Sequence, residues 1–157
     1  MKIRVVSVGK TNMNFVKEAI ELYIKRISRY SNISWEELPD VKNSSKISSV
    51  ELKKREGEQF ISKINSADYV VLLDENGVNV SSVEFADFIQ HHHNYIPKDL
   101  CFVIGGAYGF SDELYARSDK KISLSKMTFS HQLVRSIFCE QLYRAYTIIN
   151  GEPYHHA

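Results

Sequence analysis

The chain has only two cysteines in 157 residues, Cys101 and Cys139. Each sits inside an apolar run, CFVI and SIFC. Buried free thiols are therefore expected, and no disulfide framework is implied. Charge of one sign is also scarce: 20 Lys and Arg stand against 19 Asp and Glu, a formal net charge of +1. That excludes a generic nucleic-acid coat but leaves room for a local basic patch. No apolar run approaches the ~18 residues needed to span a bilayer. The amino terminus, MKIRVVSVGK, has neither a long apolar core nor a cleavage-type site, so it does not read as a signal peptide. A cytoplasmic protein is the expectation. Familiar motifs are missing as well. There is no HExxH, and His91, His92 and His93 are adjacent, so their side chains diverge on a helix and no metal site is expected. In place of GxGxxG there is GGxxG at Gly105, Gly106 and Gly109, with no well-placed acid after a second strand.

What is present describes an ordinary globular domain. The composition is 43% hydrophobic and 25% charged, at a length that suits one domain, residues 1–157, with a core that needs no staples. Ile3–Val8 is a β-branched run closed by Gly9 and predicts a buried strand. Phe15, Ala19, Leu22, Tyr23 and Ile27 recur at helical spacing, with Asn12 or Asn14 as the cap. Ile33–Leu38 is a weaker strand before Pro39. Asp40–Ser49 is polar, serine-rich and aperiodic, the pattern of a mobile loop. Ser48 with Glu51 forms a capping box that opens a charged helix to about Ile64. Asp68–Leu73 predicts a strand, and Asp74, Glu75, Asn76 and Gly77 a turn. Ser81 with Glu84 is a second capping box, for a helix to about His93. Leu100–Ile104 predicts a buried strand, Ser111 or Asp112 caps a short helix, and Ile122–Leu124 is a brief strand. The long final helix runs from Ser130 to about Ile149. This alternation predicts an α/β fold with a largely parallel sheet flanked by helices on both faces.

Chemistry concentrates in the last third. Gly105, Gly106 and Gly109 follow a strand, where glycine permits positive φ and close approach of a ligand to backbone N–H groups, or simply a tight turn. Ser123, Ser125, Lys126 and Thr128 line the next loop, which can present backbone amides to an adenine-like edge or cap the following helix. His131 and Arg135 are four apart and share a helical face, as do Glu140 and Arg144. The second pair fits a surface salt bridge, yet the helix also carries Leu133, Val134, Ile137, Phe138, Leu142, Tyr143, Ala145, Ile148 and Ile149 around most of its circumference. Such a helix is deeply buried or packs on a second chain, so a homodimer is expected, with the charged residues partly enclosed. Tyr154, His155 and His156 are either a frayed tail or are held near the helix end by the Gly-Glu-Pro turn. Lys25, Arg26 and Arg29 are a candidate basic patch, or cations suited to a helix end.

The order GGAYG, LSKMTF, His131, LVR, EQLYRA and PYH, with VVSVGK at the amino terminus and REGEQ at Arg55–Gln59, closely resembles the ribosomal large-subunit methyltransferase H family. This family lies within the SPOUT class of trefoil-knotted methyltransferases. The resemblance covers essentially the full length and rests on the order and spacing of the motifs together. It implies a carboxy-terminal deep trefoil knot, an exception to the rule against threading. It also implies a homodimer with the knot at the interface, and S-adenosylmethionine (S-adenosyl-L-methionine) bound in the knot. The implied reaction is methylation of N3 of the pseudouridine at the position conventionally numbered 1915 of 23S rRNA, in the assembled ribosome. The implied cofactor contacts are Leu73, Gly105, Leu124, Ser125, Lys126, Met127, Thr128 and Phe129. His131, Arg135, Glu140, Arg144, Tyr154 and His155 match the polar positions around the substrate, and the tail of one chain is placed to complete the other chain's site. Ser130 stands where the family usually has proline, and as a good N-cap it preserves the helix start. Ala107 and Tyr108 occupy a variable position.

Methyl transfer from a sulfonium is an in-line displacement, so the enzyme must align nucleophile and methyl carbon. The imide N3 carries a proton and needs a base or a cation that stabilises its anion. Arg144 is the candidate cation and His155 the candidate base, since neutral imidazole is available near neutral pH; His131 is either part of the site or structural. Lys10, Lys17, Lys25, Arg26 and Arg29, in or near the first helix, are candidates for salt-sensitive RNA contact. A SPOUT enzyme acting on tRNA, or a non-catalytic ribosome-associated RNA-binding dimer, are the alternatives.

Overall fold

The computed structural model describes residues 1–156. Five strands, β1 (Lys2–Val8), β2 (Asn32–Leu38), β3 (Tyr69–Asn79), β4 (Leu100–Ile104) and β5 (Lys120–Ser123), form one sheet in the order β2-β1-β4-β3-β5. Every neighbouring pair is parallel. The helices are α1 (Asn14–Ile27), α2 (Ser49–Lys63), α3 (Ser82–Tyr95), α4 (Asp112–Arg117) and α5 (Leu133–Ile149). The predicted α/β architecture is the observed one.

Strand side chains alternate between faces, so two cores result. Ile3, Val5, Phe102 and Ile104 meet Phe85, Ile89, Phe138 and Leu142 of α3 and α5. Val6, Val8, Leu72 and Val103 meet Phe60 of α2 and Leu114 of α4. Central β4 is buried at every position because helices cover both faces. Both cysteines are free and buried.

Local details correct several boundaries. Asp74–Gly77 does not turn the chain. β3 runs on to Asn79 and pairs with β5 a second time after a register shift between Leu73 and Val78. Gly77 permits this because a Cβ there would stand 2.7 Å from the backbone N of Ile122. Neither Asn12 nor Asn14 caps α1. Met13 holds that position without a side-chain bond, while the Asn12 N–H donates to Gln132 Oε1. The Asp40–Ser49 segment holds a 3-10 turn at Ser44–Lys46 and buries Val41. Ser48 accepts from the Glu51 N–H, but the Glu51 carboxylate turns to Arg55, so that capping box is half made. The Ser81–Glu84 box is complete. α5 begins at Leu133 rather than Ser130, and Ser130 Oγ accepts from the Leu133 N–H one turn earlier.

The route of the last segment sets up the site. After β5, at the sheet's edge, residues 124–132 cross the carboxyl ends of the strands and reach the end of β1, where Gln132 Nε2 donates to Lys10 O. This return from edge to interior is compatible with a knotted carboxy-terminal segment.

Candidate active site

A cavity of about 590 Å³ opens at the carboxyl ends of β3, β4 and β5, the usual ligand position of an open parallel sheet. Leu73, Gly105, Leu124, Ser125, Met127, Thr128 and Phe129 all line it, and so does His131. Lys126, expected with them, does not line it, and its side chain is exposed. Gly105 must be glycine because a Cβ would stand 2.8 Å from the Phe110 ring. Gly109 adopts φ 84°, a left-handed conformation suited to glycine. The LSKMTF loop is held by its own serines: Ser123 Oγ donates to Ser125 O at 2.7 Å, and the Met127 N–H donates to Ser125 Oγ at 3.0 Å. Met127 is 76% exposed, an apolar side chain on the rim with nothing of its own chain to cover it.

Three polar features of this wall escaped sequence reasoning. Asp74, read as part of a turn, lines the cavity and accepts from the Tyr115 hydroxyl at 2.5 Å. Burial, then the bond to Asp74, pushes the Tyr115 phenol's pKa up, so the tyrosine remains a donor. Glu56 of α2 lies behind the glycine loop, buried, with its Oε1 unpaired. A Cβ on Gly106 would stand 2.6 Å from Glu56 Oε2. Only the REGEQ motif pointed toward Glu56, and only by resemblance.

The remaining polar residues form a second cluster on α5. Arg144 donates to Glu140 Oε1 through Nε and Nη2, at 3.1 and 2.6 Å. The Tyr154 hydroxyl donates to the same oxygen at 3.0 Å, and its ring lies 4.8 Å from the Arg144 guanidinium carbon. Arg144 Nη1 meets His155 Nδ1 at 3.1 Å. The tail is therefore docked, not frayed. Bonding to Glu140 raises the Arg144 pKa further, so the cation is permanent. None of Glu140, Arg144, Tyr154 or His155 lines the cavity. Val134 does, and Arg144 lies ten residues beyond it, roughly 15 Å along a helix.

Arg135, expected among the polar residues around the substrate, belongs to neither group. It is fully buried. Its guanidinium donates to Val8 O, Gly9 O and Thr11 Oγ1 at 2.8, 2.9 and 3.0 Å, tying α5 to the end of β1. Burial pulls its pKa down, and Glu37 and Asp40 oppose that. His92 is likewise structural: it is buried, with Nε2 2.8 Å from Lys98 O. Among the described residues there is no group of three His, Cys, Asp or Glu side chains that could hold a metal ion, and no helix long and apolar enough to cross a membrane.

A parallel sheet whose glycine loop, serine loop and last helix border one cavity at the strand ends is compatible with the framework of a SPOUT-class methyltransferase. The chain belongs to the SPOUT methyltransferase family: the family described as "Predicted SPOUT methyltransferase" matches residues 1–155. It is 49% identical to the ribosomal RNA large subunit methyltransferase H of Christiangramia forsetii over 156 residues, 99% of each chain. Proteins of the same name from Parabacteroides distasonis and Bacteroides thetaiotaomicron are each 46% identical, again over 99% of both chains.

Proposed function

We propose that the protein is a homodimeric methyltransferase that uses S-adenosylmethionine to methylate N3 of the 23S rRNA pseudouridine in the assembled ribosome. The observation that carries this reading is the glycine- and serine-walled cavity of about 590 Å³, in a chain nearly half identical, end to end, to enzymes named for rRNA methylation. The cavity suits the donor in size and chemistry. Leu73, Leu124 and Phe129 offer apolar surface, while Asp74, Ser125 and Thr128 offer polar groups. When bound, the donor supplies an electrophilic methyl on a sulfonium.

The separation of the two clusters supports the dimer. In-line transfer requires reacting atoms about 3 Å apart, yet Arg144 and His155 stand well away from the cavity of their own chain. A second copy brings its tail cluster to the first copy's donor. Met13 (41% exposed), Phe15 (61%) and Leu133 (37%) supply apolar surface for the contact. The start of α1 and the start of α5 adjoin, since Asn12 bonds Gln132.

Within the shared site, Arg144 stabilises the imide anion of the target base, held in place by Glu140 and Tyr154. His155 takes the N3 proton once its Nδ1 is released from Arg144. Arg26 lies 5.5 Å from the Tyr143 ring, and Tyr143 contacts Tyr154, so the basic end of α1 borders the catalytic cluster and can hold RNA phosphates.

The test is a methylation assay on ribosomes with and without the pseudouridine, read by nucleoside mass spectrometry. N3-methylpseudouridine formed only on the modified ribosomes is expected. Methylation of tRNA instead, or donor binding without methyl transfer, overturns the reading.

A further inference from the structure

Glu56 takes no part in the mechanism above, and its surroundings are unusual. The side chain is 8% exposed and Oε1 has no hydrogen-bond partner. Its two carboxyl oxygens lie 2.6 and 3.0 Å from where a Cβ on Gly106 would stand, so the group presses on the back of the loop whose front lines the cavity. A buried, unpaired carboxylate is costly. A cation on the far side of one backbone layer would offset part of that cost. The proposed donor is a cation, and its product, after losing the methyl, is a neutral thioether.

We propose that Glu56 is a positioning residue that senses the donor's sulfonium charge through Gly106, favouring S-adenosylmethionine over its demethylated product and so assisting product release. This rests on the reading of the cavity as the donor site. Burial, with a smaller push from Asp40, raises the Glu56 pKa to about 7. Among the charged groups around it, Lys53 on α2 and Asp74 on the cavity wall, Asp40 after β2, Arg4 and Lys10 by β1, and Asp112, Glu113 and Arg117 on or at α4, only Asp40 acts on this titration. Binding of the cationic donor therefore expels the Glu56 proton to solvent, and binding of the neutral product does not.

The experiment is titration calorimetry of S-adenosylmethionine and S-adenosylhomocysteine against the full chain, on both sides of pH 7 and in buffers of different ionisation enthalpy. Wild type should release a proton on binding the donor, with affinity rising roughly tenfold as pH increases. Binding of the homocysteine should be flat with pH. Glu56→Gln should remove both the proton release and the pH dependence while still binding both ligands. Asp40→Asn, an exposed and isosteric change, should move the affinity rise to lower pH, which keeps the test open if Glu56→Gln fails to fold. Unchanged pH dependence in Glu56→Gln, or no shift in Asp40→Asn, overturns the proposal while the donor site stands. Absence of donor binding in wild type overturns the donor site, and this proposal with it.

Discussion

Arg144 Nη1 and His155 Nδ1 are 3.1 Å apart. Arginine has donors only, so Nδ1 must be the acceptor and the imidazole proton sits on Nε2. In this arrangement the lone pair that would serve as a base is already engaged. Arg144→Ala should release His155 but remove the cation, lowering kcat roughly a hundredfold with a much smaller effect on donor affinity, because neither residue lines the cavity of its own chain. Single-turnover methylation together with donor calorimetry checks this. A wild-type rate in Arg144→Ala or His155→Ala would remove that residue from the mechanism.

Arg135 predicts a different outcome. Arg135→Met leaves Val8 O and Gly9 O buried without a donor, a loss on the order of 3–5 kcal/mol. Denaturant unfolding should show it as a lower midpoint. If stability were untouched and only turnover fell, Arg135 would be a substrate residue after all.

Gly77 tests the register shift in β3. Gly77→Ala sets a methyl group 2.7 Å from the β5 backbone, where nothing flexible can yield. Separation of β3 from β5 should lower the melting temperature and weaken donor binding together, since Ile122 and Leu124 line the cavity. Donor affinity that survives the loss of stability would show that the shift is not what shapes the cavity.

The Glu56 carboxyl should also be visible in stability. Its folded pKa of about 7 stands above the ordinary 4.5, so the unfolded chain loses this proton first as pH rises. The group's contribution is fully present below 4.5 and declines through about 7. The span is at most on the order of 3 kcal/mol. Glu56→Gln should flatten that decline and exceed wild type in stability above pH 7. Denaturation at two pH values measures it, and a parallel decline in both proteins would exclude Glu56 as its source.

Disruption of the apolar patch at the start of α1 should separate binding from catalysis. Phe15→Glu places a charge on a surface where phenylalanine is 61% exposed. A shift toward monomer in light scattering, intact donor binding and loss of methyl transfer are expected. A monomer that methylates ribosomes normally would refute the shared site.

Strands and helices were legible where periodicity is local. The strands other than β3 ended within a residue of their predicted limits, and Ser81 and Ser111 capped as expected. Reading failed where a distant partner decided. Asp74–Gly77 has the composition of a turn, yet β5, more than forty residues on, pairs with Gly77's flank and draws it out as strand. Asn12 has the chemistry of a cap, but α1 starts one residue later, with Met13 at the cap position, and the Asn12 backbone N–H is tied to Gln132.

The same division holds for the site. Residue order alone determined the α/β architecture, because turn and strand preferences act over a few neighbours, while the order and spacing of the motifs together carried the resemblance to the family and to its loops at Gly105–Gly109 and Leu124–Phe129. Tertiary structure alone decided that Arg135 is buried against the end of β1, that Arg144 and His155 stand apart from the cavity of their own chain, and that Glu56 lies unpaired behind Gly106. Those are properties of burial and of which side chain a polar atom meets, and they arise only when segments far apart in the chain exclude water from one another.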